Sequence, residues 1–330
     1  MTHKLYLPAG SATGDAPGEA VVITPERAGW TWSGLRVLEL GPGEARTLAT
    51  GGTELAVLPL AGACVVECEG RRFELHGREH VFAGVSDFAY LPIDAEARLR
   101  SAHGGRFALP TAVATRRLDP AYGPAAGVPV ELRGAGQASR QLNNFLEPSA
   151  FPADKLVAVE VLTPAGNWSS YPPHKHDQCR LPEEAQLEEI YYFEVARTGQ
   201  APSRDGFGLH RLYTTDGEID LTEQVRSGDA ILIPRGYHGP SVAAPGYDLY
   251  YLNVLAGPAD QRTMAFCDDP AHTWVRGTWA TQAVDPRLPM TGARRRFLAA
   301  GAGNSGRSDI SQRIEEILRG EATAPGDDSA

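Results

Sequence analysis

Two histidines separated by one residue, His174 and His176, stand in the run Gly166-Asn167-Trp168-Ser169-Ser170-Tyr171-Pro172-Pro173-His174-Lys175-His176-Asp177. In an extended strand, residues i and i+2 project from one face, so both imidazoles can reach a single ion. The paired prolines suit the start or edge of a strand, where a missing N–H does no harm. A carboxylate follows at Glu188 or Glu189, at the head of the strand-like segment Ile190-Tyr191-Tyr192-Phe193. A third imidazole, His238, closes Pro234-Arg235-Gly236-Tyr237-His238. Three imidazoles and one carboxylate make a borderline-soft donor set suited to Zn²⁺, Fe²⁺ or Mn²⁺. Lys175, between the two histidines, projects from the opposite face and is expected to be an ion-paired structural residue.

The elements that must position these groups are short strands. Alternating or β-branched segments cover residues 35–40, 54–59, 63–67, 72–75, 87–91 and 97–100 in the first half. In the second half they cover 156–162, 189–195, 208–213, 230–233 and 247–255. The 36 glycines and 25 prolines are spread between these apolar runs, as in an all-β protein with many tight turns. The two halves repeat one another. Gly84-Val85-Ser86-Asp87-Phe88-Ala89-Tyr90-Leu91-Pro92 parallels Ser227-Gly228-Asp229-Ala230-Ile231-Leu232-Ile233-Pro234, and Glu54-Leu55-Ala56-Val57 parallels Glu189-Ile190-Tyr191-Tyr192. Residues 134–139, polar and glycine-rich, read as a linker. Beyond residue 290 the composition turns small and polar, with one helical pattern at 309–318 behind Ser308 and an expected disordered end. The nominal Gly301-Ala302-Gly303-Asn304-Ser305-Gly306 motif has no strand before it and reads as tail.

Composition excludes several function classes. The 330 residues include 42% hydrophobic and 22% charged residues, enough for a sizeable core. Acidic residues outnumber basic ones, 41 to 31, for a net charge of −10, which argues against a nucleic-acid partner. No apolar run is long enough for a membrane span, and the N-terminus lacks the apolar region of a signal peptide, so a cytoplasmic location is expected. Four cysteines (Cys64, Cys68, Cys179 and Cys267) form no disulfide framework, and Cys64 and Cys68 read as buried small apolar residues.

Taken together, these residues resemble the cupin superfamily, whose motifs are Gly-x5-His-x-His-x3–4-Glu and Gly-x5-Pro-x-Gly-x2-His. More closely, residues 166–177, Leu187-Glu188-Glu189-Ile190-Tyr191-Tyr192 and Asp248-Leu249-Tyr250-Tyr251-Leu252-Asn253-Val254 resemble the IolB family of 5-deoxy-glucuronate isomerases, within the wider group that includes the 5-keto-4-deoxyuronate isomerases. The resemblance implies an all-β bicupin, two tandem jelly-roll barrels with few short helices. Residues 1–133 would form an N-terminal barrel without metal ligands, 134–290 a catalytic metal-binding barrel, and 291–330 a tail. Matching Glu-Ile-Tyr-Tyr-Phe to the related isomerases favours Glu189 over Glu188 as the ligand, beside His174, His176 and His238. The insertion of residues 177–187 reads as a lid over the barrel mouth. In the first half, Ile93-Asp94-Ala95-Glu96 offers no histidine, and His76 and His80 read as surface or turn residues.

The implied reaction interconverts 5-deoxy-D-glucuronate and 5-dehydro-2-deoxy-D-gluconate, an intramolecular oxidoreduction in myo-inositol catabolism. It needs one divalent cation, zinc first and manganese or iron next, to stabilise an enediolate, and a base to move the proton. Glu188, Tyr191, Tyr237 and Asp248 are the candidate bases. Arg235, three residues before His238, and Arg140 and Lys155, at positions resembling the family's, are the candidates for binding the uronate carboxylate. Trp168 and Tyr171 are candidates for the pocket wall. Two fused barrels with exposed sheet faces suit a homodimer. An iron-dependent dioxygenase would use the same ligands and differ in needing oxygen; a non-catalytic sugar-binding cupin would bind without turnover.

Overall fold

The computed structural model describes residues 5–290; the helix expected at 309–318, the glycine motif at 301–306 and the rest of the tail lie outside them. The first half is one nine-stranded antiparallel sheet. Its main path runs Ala121–Gly123, Phe88–Leu91, Thr53–Cys68, Gly105–Val113, Ser33–Leu40, Glu19–Ile23. The long strand Thr53–Cys68 joins two segments that the sequence reads separately; its register shifts at Pro59/Ala61, and Gly62 takes the left-handed φ of 88° there. The second half opposes a seven-stranded and a six-stranded sheet. The seven-stranded order is Tyr6–Leu7, Ala230–Ile233, Glu188–Arg197, Tyr247–Ala256, Val157–Thr163, Arg140–Asn143, Val130–Arg133. The chain changes sheet between Gly123 and Val130, so Val130–Arg133 pairs in the second half, as do Tyr6 and Leu7.

The internal repeat is a repeat of strand order. Phe88–Leu91, Thr53–Cys68, Gly105–Val113 and Ser33–Leu40 correspond to Ala230–Ile233, Glu188–Arg197, Tyr247–Ala256 and Val157–Thr163. Register corrects one equivalence. Leu55 lies opposite Leu91 as Glu189 lies opposite Ile233, and each partner is followed by a proline. Glu54 therefore corresponds to Glu188, not to Glu189. The first half carries Leu55 where the second carries Glu189.

Successive residues of a strand face opposite ways, and these strands are buried on both faces. One face of each half joins a single apolar core, in which Leu35, Val37, Leu58 and Phe88 cluster with Ile190, Tyr192, Leu232 and Leu252. The other face of the first half closes on itself around Leu48, Leu55, Val57, Leu99, Phe107 and Leu109, with Cys64 and Cys68 among them. That barrel is lined mainly by hydrocarbon, and a cavity of about 220 Å³ bordered by Leu48, Leu55 and Leu109 also has Glu26, Arg36 and Thr111 in its wall.

Charged groups cross the shared core in matched pairs. Glu54 accepts the backbone N–H groups of Asp154 (2.8 Å), Lys155 (2.6 Å) and Leu156 (2.6 Å), and the Tyr90 hydroxyl (2.6 Å). Its counterpart Glu188 accepts those of Thr31 (2.8 Å), Trp32 (2.7 Å) and Ser33 (3.0 Å). Each half thus fixes the start of the other's first core strand. Arg78 pairs with Glu160, both almost wholly buried, and Glu160 also accepts from Tyr250 (2.8 Å) and Asn143 (2.9 Å). Removing one partner of such a pair leaves an uncompensated buried charge, at about 3–5 kcal/mol. Arg78→Met is expected to lower unfolding stability by about that amount, read from guanidinium denaturation; a loss below about 1 kcal/mol would contradict the assigned role of the pair.

Candidate metal centre

Glu189 faces the interior of the second barrel because Glu188 faces the shared core. His238 lies on the central strand Tyr237–Ala243 of the opposing sheet, directly opposite His174 in register. Gly239 follows it with φ 97°, and a Cβ there would lie 1.9 Å from the Ser170 carbonyl oxygen. Only glycine allows the Trp168–Ser169 strand to approach so closely. His176 is tied to the head of the Glu189 strand: its carbonyl accepts from Leu187 N–H at 2.8 Å, and its Nδ1 lies 3.2 Å from the Leu187 carbonyl.

The structure brings His176, Glu189 and His238 together, all buried, with their donor atoms within 4.8 Å of one another. Both Nε2 atoms lie 3.0 Å from Glu189 Oε2. His174 borders this triad, its ring centroid 4.5 Å from that of His238 and 6.4 Å from that of His176. Each of the three imidazoles turns Nδ1 toward a backbone carbonyl: Pro172 (3.4 Å), Leu187 (3.2 Å) and Gly236 (3.3 Å). A carbonyl can only accept, so Nδ1 carries the proton and Nε2 is left for the interior. His238 Nε2 is buried without a hydrogen-bond partner, since its approach to Glu189 has the wrong direction for one. Lone pairs converging on a carboxylate repel unless a cation or a proton stands between them. The donor set therefore fits a metal ion, and the backbone fixes the tautomers that would bind it.

Electrostatics agree with this reading. Burial alone would raise the Glu189 pKa, but the His238 and His176 imidazoles outweigh it and hold the carboxyl at about 2. Burial opposes charge on His176, yet the hydrogen bond and charge of Glu189 prevail and raise its pKa above 6.5. His174 is held well below 6.5, by burial first and then by repulsion from His238 and His176.

A small cavity of about 60 Å³, open toward solvent, is bordered by His174, His176 and Glu189. Arg140 and Tyr191 line it. The other sequence candidates stand elsewhere, which removes them from the chemistry. Glu188 is spent on three backbone N–H groups of the first half. Tyr237, next to His238, alternates to the outer face and packs on Tyr213. Asp248 accepts from Ala165 N–H (2.9 Å) and Thr198 (3.3 Å). Arg235 is a half-buried residue paired with Asp216 and Glu218. Lys155 binds the carbonyl of Ala259 (2.6 Å) and so anchors a loop. Trp168 and Tyr171 touch each other outside the cavity, with Trp168 39% exposed. Lys175 is ion-paired, to Asp177 (2.5 Å) and Glu184 (2.7 Å). The latter carboxylate is buried within the hairpin formed by Asp177–Arg180 and Glu184–Gln186.

Four polar cavity residues escape the sequence reading: Arg133, Ser170, Tyr251 and Asn253. The signal for two of them is alternation, since Tyr251 and Asn253 are the inward positions of a strand next to that of Glu189. Ser170 adopts a left-handed φ of 45°, which no local pattern announces.

Comparison with known proteins places these features in context. Residues 6–275 match the KduI/IolB family. A 5-deoxy-glucuronate isomerase of Geobacillus kaustophilus (strain HTA426) is 40% identical over 274 residues, spanning 82% of this chain and 95% of that protein. The crystal structure of an IolB-like protein from Salmonella typhimurium LT2 superposes with a TM-score of 0.75 at 33% identity, covering 82% of this chain and 99% of that one. Oxalate decarboxylase from Lactobacillus farciminis, solved as a formate complex, gives a TM-score of 0.58 at 13% identity, covering 81% and 89%; this likeness concerns the fold, the expected bicupin. No helix among the described residues is long and apolar enough to cross a membrane.

Metal binding needs deprotonated ligands, so protonation of the imidazoles at acid pH competes with it. Zn²⁺ titrated into stripped protein is expected to bind about one equivalent per chain, with an affinity that falls as the pH is lowered, by up to about tenfold per pH unit for each ligand that takes up a proton, His176 with its raised pKa first among them. Calorimetry at several pH values reads the affinity. An affinity that ignores pH would contradict ligation by imidazole.

Proposed function

Because the chain belongs to the KduI/IolB family, we propose that it converts 5-deoxy-D-glucuronate to 5-dehydro-2-deoxy-D-gluconate, in inositol catabolism. The observation that carries this reading is one cavity bordered both by His176 and Glu189 of the candidate cation-binding triad and by Arg140, a buried arginine without an ion pair among the described residues. An acidic sugar with a carbonyl at the other end of its chain matches both.

His176, Glu189 and His238 would hold the metal, with His174 beside them as the fourth candidate ligand. Three nitrogens and one oxygen suit Zn²⁺ best among the common divalent ions. When bound, the cation supplies Lewis acidity that stabilises negative charge developing on the substrate's carbonyl and hydroxyl oxygens during enolisation.

Arg140 receives the carboxylate. Its guanidinium donates to the Ala138 carbonyl (3.0 Å), packs over Trp279 and forms no ion pair with a described carboxylate. Burial, with repulsion from Arg133 and Arg276, lowers its pKa to about 10 against the pull of Tyr251, so it remains cationic at neutral pH. A planar fork fixed by packing favours a two-bonded carboxylate and orients the sugar acid along the cavity. Of the candidate bases, Tyr191 alone lines the cavity. Burial first, then the Glu189 charge, raises its pKa well above 10, so it keeps its proton and serves as a hydrogen-bond donor. Leu187, Leu255, Met264 and Phe266 cover the same space with apolar surface, which limits water around the enediolate.

Arg140→Gln should raise KM for 5-deoxyglucuronate by about 10–100-fold, the loss of hydrogen bonds to a charged group. Arg235→Ala should leave KM unchanged, because Arg235 is outside the cavity. His238→Ala should abolish turnover while the circular dichroism of the fold persists. A coupled assay under nitrogen measures all three and excludes an oxygen-dependent reaction; an unchanged KM in Arg140→Gln would remove the assigned carboxylate site.

A further inference from the structure

The strands that carry the histidines share little backbone pairing. His174 and His238 form the single register pair between His174–Lys175 and Tyr237–Ala243. His176 lies past the end of that ladder, between Lys175 and the hairpin strand Asp177–Arg180. The Leu187 N–H ties its carbonyl to the strand of Glu189, but no ladder among the described residues ties it to the strand of His238. The separation of His176 and His238 is left for a side chain to set.

The next residue, Asp177, spans that gap. Its Oδ2 accepts the Gly236 N–H at 2.8 Å. Gly236 belongs to the turn before His238, and its carbonyl is the one that faces His238 Nδ1 at 3.3 Å. One carboxylate thus links the residue after one imidazole to the carbonyl that orients another. The carboxylate is itself fixed. Its Oδ1 accepts from Lys175 Nζ at 2.5 Å, and Lys175 also binds Glu184 at 2.7 Å. Glu184, wholly buried, accepts the backbone N–H groups of Asp177 (3.0 Å) and Gln178 (3.2 Å) and the Cys267 thiol (3.3 Å), and it pairs with Arg180. Asp177 is not among the residues that line the cavity, so it acts on the centre only through Gly236 and the strand it belongs to.

We propose that Asp177 is the positioning residue of the metal centre: through Gly236 it sets the separation of His176 and His238, and with it the affinity for the ion. The inference rests on the cluster of His176, Glu189 and His238 being a metal site, as in the proposed function. The hairpin of residues 177–186 is then a brace for the ligands, where the sequence suggests a lid. Metal–imidazole bonds of about 2.0–2.1 Å leave little slack, so a ligand displaced by a fraction of an ångström binds poorly. Groups that orient ligands from behind typically carry roughly 10–100-fold in metal affinity. A charged acceptor makes roughly twice as strong a bond to an N–H as a neutral one, and the pairing with Lys175 favours the charged form of Asp177.

The test measures zinc Kd by competition with a chromophoric chelator, the d–d spectrum of the cobalt-loaded protein, and the unfolding midpoint of the metal-free protein. Asp177→Ala should raise the zinc Kd about 10–100-fold and change the intensities of the cobalt bands. Asp177→Asn, whose amide oxygen still accepts from the Gly236 N–H, should stay within about fivefold of wild type. Asp177→Glu keeps the charge but lengthens the arm; it should raise Kd about tenfold, and it carries the test if Asp177→Ala does not fold. Arg180→Ala, which removes an exposed partner of Glu184, should leave Kd within about twofold. A lower midpoint with unchanged Kd and cobalt spectrum in the alanine and glutamate variants would give Asp177 a stability role only and overturn the proposal, with the metal centre intact. A loss in Asp177→Asn as large as in Asp177→Ala would also overturn it. A wild type that binds neither ion would overturn the metal centre and the proposal with it.

Discussion

At positions 188 and 189 two identical side chains are sent in opposite directions by the pleat of one strand, and the sheet is buried on both sides. Glu188, half-buried, is turned toward the first half and Glu189 into the second barrel. A one-residue slip would exchange them, putting the would-be ligand against Thr31–Ser33 backbone and the structural carboxylate beside two imidazoles. Register is therefore the constraint on which the centre depends. It is enforced from both sides, by three N–H groups of the first half and by the apolar alternation of Ile190, Tyr191, Tyr192 and Phe193.

The first barrel then has a physical role without chemistry of its own. It carries Leu55 where the second carries Glu189 and lines most of its interior with hydrocarbon. In return it supplies backbone donors to Glu188, while its Glu54 fixes residues 154–156 at the start of a cavity-forming strand. A duplicated fold has kept the packing of both copies and a polar interior in one. The metal ligands gain a rigid frame, with their tautomers selected by backbone carbonyls that the same strands hold in place.

Much of this was legible in the residues. The His-x-His spacing, the glutamate at a strand head and the turn before His238 pointed to side chains of which the structure clusters three, His176, Glu189 and His238, with His174 at the edge, because metal chemistry demands particular residue types at strand periods. Short strands between glycines and prolines identified the all-β class. The residues that failed did so for geometric reasons. Arg235 is close to His238 in the chain but leaves the barrel at the turn, where Asp216 and Glu218 take its charge. Tyr237 is one residue from a ligand and so faces away from it. Lys155 and Asp248 match family positions, yet both are bound within loops and strand ends. The repeat was visible but misaligned by one position, since two adjacent glutamates fit Glu54 equally well by eye and only pairing with Leu91 and Ile233 separates them. Ser170 was hidden because its importance comes from a backbone conformation, not from its neighbours in sequence.

The resulting site gathers candidate cation ligands, hydroxyl and amide groups and a guanidinium around one small cavity of the second barrel. Such a set suits a small acid that must be held at both ends while a proton moves near one of them. The centre of the account is that imidazole nitrogens and one carboxylate converge on a single ion. X-ray absorption at the zinc edge of the loaded protein measures this directly. The account predicts about one zinc per chain, bound by imidazole nitrogens near 2.0–2.1 Å and a carboxylate oxygen near 2.0–2.2 Å, with an imidazole lost in His238→Ala. A spectrum without imidazole scattering, or one unchanged by that substitution, would contradict it.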